Sequence, residues 1–367
     1  MKKNLLLVLL FHGLLLLLPA LFFVNQWFIL DSLYAELNFE KRNPTPLPTL
    51  QQTELNNYPS AMEEYFRDHL PLRHQIIRLN AALDYKLFGS TTSRKITLGK
   101  EGWLFFKDHD TVNNLADYQG ILPLDDALVQ QTAAALQAIG TQQSAARRTT
   151  VLYMPPNKET VYGEYLPDGI PQLNAVSRCD QLYAQLAGQT GTVLLVDPKP
   201  LLMQTAQQDK TLYYKTDTHW NGRGAYLGLQ PLLDALQVDY APYDPADFVP
   251  DEGTSGDLAA LGALDLPAEQ GYLRKWPAEL AVSSTTDGFA VVYHSNAADP
   301  RRVLVMGDSF RYATETILPY YFTEVIFVPL QQSAAATIEA YDPDVVILQQ
   351  VERNLDTLPY YLNNLIG

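Results

Sequence analysis

Cysteine is nearly absent: Cys179 is the only one in 367 residues. A single thiol makes no intrachain disulfide and supplies no thiolate zinc cluster. Set between Arg178 and Asp180 on a predicted helix, it reads as an inert structural residue rather than a nucleophile. Positive charge is also scarce. Lys and Arg number 26 against 41 Asp and Glu, a formal net charge of −15. No basic cluster stands out, and a nucleic-acid partner needs one to neutralise phosphate, so that class is excluded. The same acidity repels a strongly anionic substrate at long range, to an extent that salt screens. Histidine is sparse, with six residues, and His69, His74, His109 and His294 are scattered. No metal-ligand spacing results, and neither a metal nor a cofactor is expected. Internal repeats are not seen.

What is present begins with an apolar run over residues 5–24, preceded by Lys2 and Lys3. About twenty residues at about 1.5 Å each reach about 30 Å, the thickness of bilayer hydrocarbon. Pro19 is its one strong helix breaker, and Trp27 and Tyr34 suit the membrane interface. A cleaved signal peptide needs small residues at a cleavage site, and no convincing pair follows. Residues 1–30 are therefore read as an uncleaved signal anchor, a single transmembrane helix. Lys2 and Lys3 stay in the cytoplasm, and the rest lies outside it, periplasmic or extracellular. Pro44, Pro46 and Pro48 mark residues 31–59 as an extended linker.

Residues 60–367 read as the globular part, and 47% hydrophobic residues suffice for a core. Helical spacing runs over 60–88, with a break at Pro71 and an end at Gly89. From about Asp125 short apolar strands alternate with helices. Strands are predicted near 150–154, 192–196, 302–306, 324–328 and 345–348, and helices over 125–145, 174–187 and 224–236. This pattern predicts an α/β fold, a five-stranded, mostly parallel sheet between helices. Residues 239–300 interrupt it with many Pro, Gly and Asp. They are read as one insertion on the edge of a crevice at the strand C-termini.

Two segments carry chemistry. Residues 303–306 lead as a strand into Gly307, Asp308 and Ser309. A serine there lies where open α/β sheets bind ligands, with main-chain N–H groups nearby to hold an oxyanion. Taken alone, this segment reads first as a plain helix cap by Asp308 or Ser309. The second segment holds Asp217 and His219. A serine needs a base, usually His, and the imidazole needs a carboxylate on its other nitrogen. In an extended segment residues i and i+2 face the same way, about 6.6 Å apart, within reach of such a contact. Taken alone, this pair also reads as a surface pair, or as a His packed by Trp220. Lys158, after the strand at 150–154, is read as a solvated lysine near the crevice.

Five stretches together resemble the alginate O-acetyltransferase group of SGNH-like proteins and the related DHHW-type proteins. They are residues 99–106 (GKEGWLFF), 155–167 (PPNKETVYGEYLP), 216–221 (TDTHWN), 253–259 (GTSGDLA) and 306–310 (MGDSF). DHHW-type proteins have a second His where this chain has Thr218, so the match leans to the alginate type. The resemblance implies an SGNH-hydrolase-like (flavodoxin-like) fold of the single-domain, membrane-anchored kind. Its motif order is permuted, the D-x-H preceding the serine. It implies Ser309 as nucleophile, His219 as base and Asp217 as the group that orients it. It further implies an O-acetyltransferase acting on an exported polysaccharide, fed by a polytopic membrane O-acyltransferase. A carbohydrate O-acetyl esterase with the same triad, or a non-catalytic polysaccharide-binding scaffold, are the alternatives.

Overall fold

The computed structural model describes residues 12, 13, 16, 17, 45–49, 53, 55–69, 73–107 and 112–366. Among them no helix is long and apolar enough to cross a membrane. The apolar run at 5–24 lies outside the described residues, apart from His12, Gly13, Leu16 and Leu17.

The chain divides into two compact units. The first comprises residues up to Ser93 together with 259–265. Its helices Tyr58–Asp68 and Arg73–Leu83 flank the break expected at Pro71. The second ends in a π-helical turn, Asp84–Phe88, closed by Gly89 at φ 56°. A left-handed residue costs glycine nothing, which is why the helix stops there.

The second unit holds Arg94–Leu258 and Leu266–Gly367. Its strands are β1 (Ile96–Leu98), β2 (Leu104–Phe106), β3 (Thr149–Tyr153), β4 (Leu194–Val196), β5 (Phe248–Thr254), β6 (Glu269–Arg274), β7 (Val282–Asp287), β8 (Ala290–Ser295), β9 (Asp299–Gly307), β10 (Phe322–Pro329) and β11 (Val345–Gln349). Seven of them form one sheet in the order β4-β3-β11-β9-β10-β8-β7. The five from β4 to β10 are parallel, and these are the five predicted strands. Because side chains alternate, each strand feeds two cores. Val303, Val305, Val345 and Ile347 face a cluster completed by the helix Gly222–Ala235. Leu304, Met306, Val346 and Leu348 face another, with Leu136 and Ile139 of the helix Asp126–Ala145. That helix starts where Asp125 accepts a hydrogen bond from the Ala127 N–H at 2.9 Å.

The reading of 239–300 as a single insertion needs correction. Its second half joins the sheet: β8 pairs antiparallel with β10, and β7 with β8, giving seven strands rather than five. Gly288-Phe289, with Gly288 at φ 58°, makes the tight turn between them. Only the first half matches the expectation. There β5 and β6 pair as a separate antiparallel ribbon beside the strand C-termini. Cys179 is buried, and burial pushes its thiol well above the usual range, in keeping with an inert residue.

Candidate active site

Ser309 follows the last residue of β9, Gly307, by two positions. Asp308 fixes the turn. Its N–H donates to the Gln349 carbonyl at 3.2 Å, and its carboxylate accepts from the N–H of Phe310 at 3.0 Å and of Val351 at 2.7 Å. The serine is thereby tied to the ends of two adjacent strands, β9 and β11. The helix after it is a single turn, Arg311–Thr314. The main-chain N–H of Ser309 makes no hydrogen bond among the described residues.

Asp217 and His219 sit at the tip of a tight loop. Tyr213 and Trp220 pair across its base, and the Asn221 N–H donates to the Leu212 carbonyl at 3.0 Å. Asn221 then caps the helix Gly222–Ala235, accepting from the N–H of Arg223 at 2.9 Å. The indole N–H of Trp220 donates to the Phe310 carbonyl at 3.0 Å, joining loop to serine turn.

Within this frame His219 Nε2 stands 2.8 Å from Ser309 Oγ, and Nδ1 stands 2.6 Å from Asp217 Oδ1. The structure thus brings all three predicted residues together. The local reason differs from the expectation. Residues 215–219 form bends rather than an extended strand. Asp217 Oδ1 accepts from the His219 N–H at 2.9 Å, an Asx-type turn that delivers the carboxylate to Nδ1.

Three further residues hold the loop. The Lys158 ammonium donates to the carbonyls of Tyr214 at 3.1 Å, Lys215 at 2.9 Å and Asp217 at 2.6 Å. Lys158 is 2% exposed, so the solvated reading is overturned: the loop turns three carbonyls inward, and a buried cation satisfies them. Burial lowers its pKa to about 8, against the pull of Asp217, Asp257, Glu159 and Glu269. Asp257 accepts from the Thr218 N–H at 2.8 Å and hydroxyl at 2.7 Å, and its own N–H donates to Asp217 Oδ2 at 2.9 Å. Gly256 permits this approach, since a Cβ there would lie 1.9 Å from the Thr216 carbonyl oxygen. Glu269 accepts from the N–H of Lys215 at 2.7 Å and from the N–H and hydroxyl of Thr216. Lys158 and Asp257 fall in two of the stretches singled out in the sequence, but no spacing marked them as partners of the loop.

Burial acts to raise the Asp217 carboxyl, but the hydrogen bond and charge of His219, with the N–H groups of Asp257 and His219, outweigh it and hold the pKa below the usual range. At Asp308 burial outweighs the N–H groups of Val351 and Phe310 and the charges of Arg353 and His219, and raises the carboxyl. The ligand atoms of Asp217, His219 and Asp257 lie within 4.8 Å of one another. Every oxygen of the two carboxylates already accepts an N–H or O–H, which suits an orienting network better than a cation site. A cleft of about 270 Å³ opens over Ser309 and His219, walled by Tyr214, Asp251, Thr254, Tyr272, Tyr312 and Thr316.

Residues 96–317 match the family model described as SGNH hydrolase-like domain, acetyltransferase AlgX. A probable alginate O-acetylase AlgJ of Pseudomonas syringae pv. tomato is 31% identical over 245 residues, 64% of this chain and 58% of that one. Its counterpart in Pseudomonas putida is 29% identical over 224 residues, 59% of this chain and 54% of that one. The chain thus spans little more than half the length of these curated relatives. A DHHW family protein from Eubacterium siraeum superposes with a TM-score of 0.54 at 16% identity, covering 74% of this chain and 99% of that one. Bacillus cereus PatB1 superposes at 0.51 with 16% identity, covering 71% and 97%. These two show a shared fold. With a family model matching more than half its length, the chain belongs to the SGNH hydrolase-like family of the acetyltransferase AlgX.

Proposed function

We propose that the protein is an O-acetyltransferase acting outside the cytoplasm on an exported polysaccharide, through an acyl-enzyme on Ser309. The observation that carries this is the contact of His219 Nε2 with Ser309 Oγ at 2.8 Å, with Nδ1 held by Asp217. His219 takes the serine proton as Oγ attacks the acetyl carbonyl carbon of the donor. The oxyanion draws on the unpartnered Ser309 N–H, and the donor's leaving oxygen receives the proton back from Nε2. In the second half a sugar hydroxyl attacks the Ser309 ester, its proton passes to Nε2, and the carbon–Oγ bond breaks as Oγ is reprotonated. Asp217 sets the imidazole tautomer and stabilises the imidazolium in both halves. No metal or cofactor takes part in this scheme.

The acetyl group outside the cytoplasm would come from a polytopic membrane O-acyltransferase. Residues 1–30 would hold the protein beside it as a single-pass anchor, residues 31–59 would link the two, and residues 60–367 would be the catalytic part. The relatives named as alginate O-acetylases support a polysaccharide acceptor. Two results are expected. The protein stays in the membrane fraction through a high-salt wash, whereas a mature form starting after about residue 24 would mean a cleaved signal peptide. Asp217→Asn lowers transfer on the order of 10²–10⁴-fold while the fold survives, because the amide presents the wrong partner to Nδ1. Acetylated oligosaccharide detected by mass spectrometry with wild type tests the whole reading. Acetate release alone would make the protein an esterase.

A further inference from the structure

The cleft over Ser309 has walls of one sign. Among the described residues lining it there are two carboxylates, Asp217 and Asp251, and no Lys or Arg. Cations do lie close behind the walls, and each is engaged elsewhere. Lys158 is buried against three loop carbonyls. Arg223 stacks at 3.8 Å on the Tyr272 ring, donating to Thr211 Oγ1 and the Pro245 carbonyl. Arg311 pairs with Glu315 at 3.1 Å, both side chains nearly buried. Arg353 lies 5.3 Å from the Phe310 ring centre and donates to Asn157 Oδ1. Asp251 is different. It stands on β5, exposed, its Oδ1 accepting only from the adjacent Glu252 N–H among the described residues. Its charge acts on the cleft, helping to raise the Tyr214 hydroxyl after burial and Asp217.

A sugar that brings its own carboxylate beside the reacting hydroxyl would find no guanidinium or ammonium in such a site. It would meet Asp251 instead, on a chain of net charge −15. Like charges brought together across an interface are strongly unfavourable, and this is how binding sites reject wrong partners. Tyr214, Tyr272 and Tyr312 offer ring faces and hydroxyls to an uncharged sugar.

We infer that the acceptor is a neutral polysaccharide, and that Asp251 disfavours a uronate such as the alginate named for the curated relatives. The inference rests on the acyl-enzyme reading above and adds the charge of the acceptor. It is tested on the full chain in detergent with p-nitrophenyl acetate as donor, comparing a neutral glucan hexamer with a mannuronan hexamer. At low salt the neutral hexamer is acetylated with roughly tenfold or higher kcat/KM. The gap closes as ionic strength rises from about 0.01 M to about 1 M, where the Debye length falls from about 30 Å to about 3 Å. Asp251→Asn narrows it at low salt by roughly threefold, chiefly through the KM of mannuronan. Equal use of the hexamers, a preference for mannuronan, or a ratio that neither salt nor Asp251→Asn moves would overturn the inference. Release of p-nitrophenol reports acyl transfer to Ser309 whatever the acceptor. If that release is absent the catalytic reading fails by itself, and calorimetric binding of the two hexamers still decides the charge preference.

Discussion

Ser309→Ala is expected to lower acetyl transfer on the order of 10⁴-fold or more while the protein melts within about 1 kcal/mol of wild type. The asymmetry follows from what the hydroxyl touches. Its one hydrogen-bond partner among the described residues is His219 Nε2, at a cleft open to water. Removing it leaves no buried group orphaned, because His219 keeps its contact with Asp217 at 2.6 Å. The same removal deletes the atom that would carry the acyl group in the proposed mechanism, and among the described residues no other hydroxyl bonds His219 Nε2. His219→Ala falls to a comparable level, since the three residues act as a unit and their losses do not add. The measurements are a thermal melt and acetylated oligosaccharide by mass spectrometry. Wild-type polymer acetylation in Ser309→Ala cells would leave only a scaffold role.

The second large effect is expected at Lys158, a positioning residue that lies behind the loop. Two terms compete in Lys158→Met. Ionised Lys158 is costly to bury, and the shift from 10.5 to about 8 corresponds to about 3 kcal/mol that the substitution removes. Against this, the carbonyls of Tyr214 and Asp217 lose their partner, at about 1–3 kcal/mol each. The Lys215 carbonyl fares better, since it also accepts from the Leu104 N–H at 2.8 Å. The two terms nearly cancel at neutral pH, and the net change lies between a gain of about 1 and a loss of about 3 kcal/mol. Activity suffers more, because the loop tip carries Asp217 and His219, and displacement by about 1 Å costs on the order of 10²-fold.

A pH signature separates this charge from simple packing. Between about pH 8 and 10.5 the unfolded chain binds a proton at Lys158 that the folded chain lacks, so wild-type stability rises with pH relative to Lys158→Met. The difference grows by about 3 kcal/mol across that window. Denaturant melts of both proteins at either end of the window read it. A constant difference would mean that the ammonium is not buried as described.

The parts of the fold legible in the sequence were those where one residue type dominates. β3, β9, β10 and β11 each carry a short continuous apolar run buried on both faces. β7 escaped because it is an exposed edge strand, Val282–Asp287, with serines and threonines where a buried strand has valines. The glycine of the turn that follows it, Gly288, was the available signal. At the site, Ser309, His219 and Asp217 were legible through the resemblance of residues 216–221 and 306–310 to a known family, since each segment taken alone also reads as a helix cap or a surface pair. Lys158 was not, because its role depends on three carbonyls, and backbone direction leaves no mark in residue identity. Asp257 lies 40 residues from Asp217, whose carboxylate its N–H holds, and only the close approach at Gly256 brings the two together.

The position of β11 has a consequence for how the chain is made. Among the described residues it is the last strand in chain order, yet it lies inside the sheet, pairing Val345 with Thr149 on one side and with Val303 on the other. A chain emerging N-terminus first therefore displays β3 with β4, and later β9 with β10, as two separate pieces with an empty slot between them. Each piece holds out an unpaired edge until residues 345–349 arrive. Joining strands so distant in sequence is slow, because a long loop must close before any pairing offsets its cost. The Asp308 clamp on Gln349 and Val351 waits for the same event, so Ser309 gains its final setting only when the last strand slots home. A chain crossing a membrane as a thread would keep this sheet incomplete, and the Ser309 turn unset, until residues 345–349 had passed through.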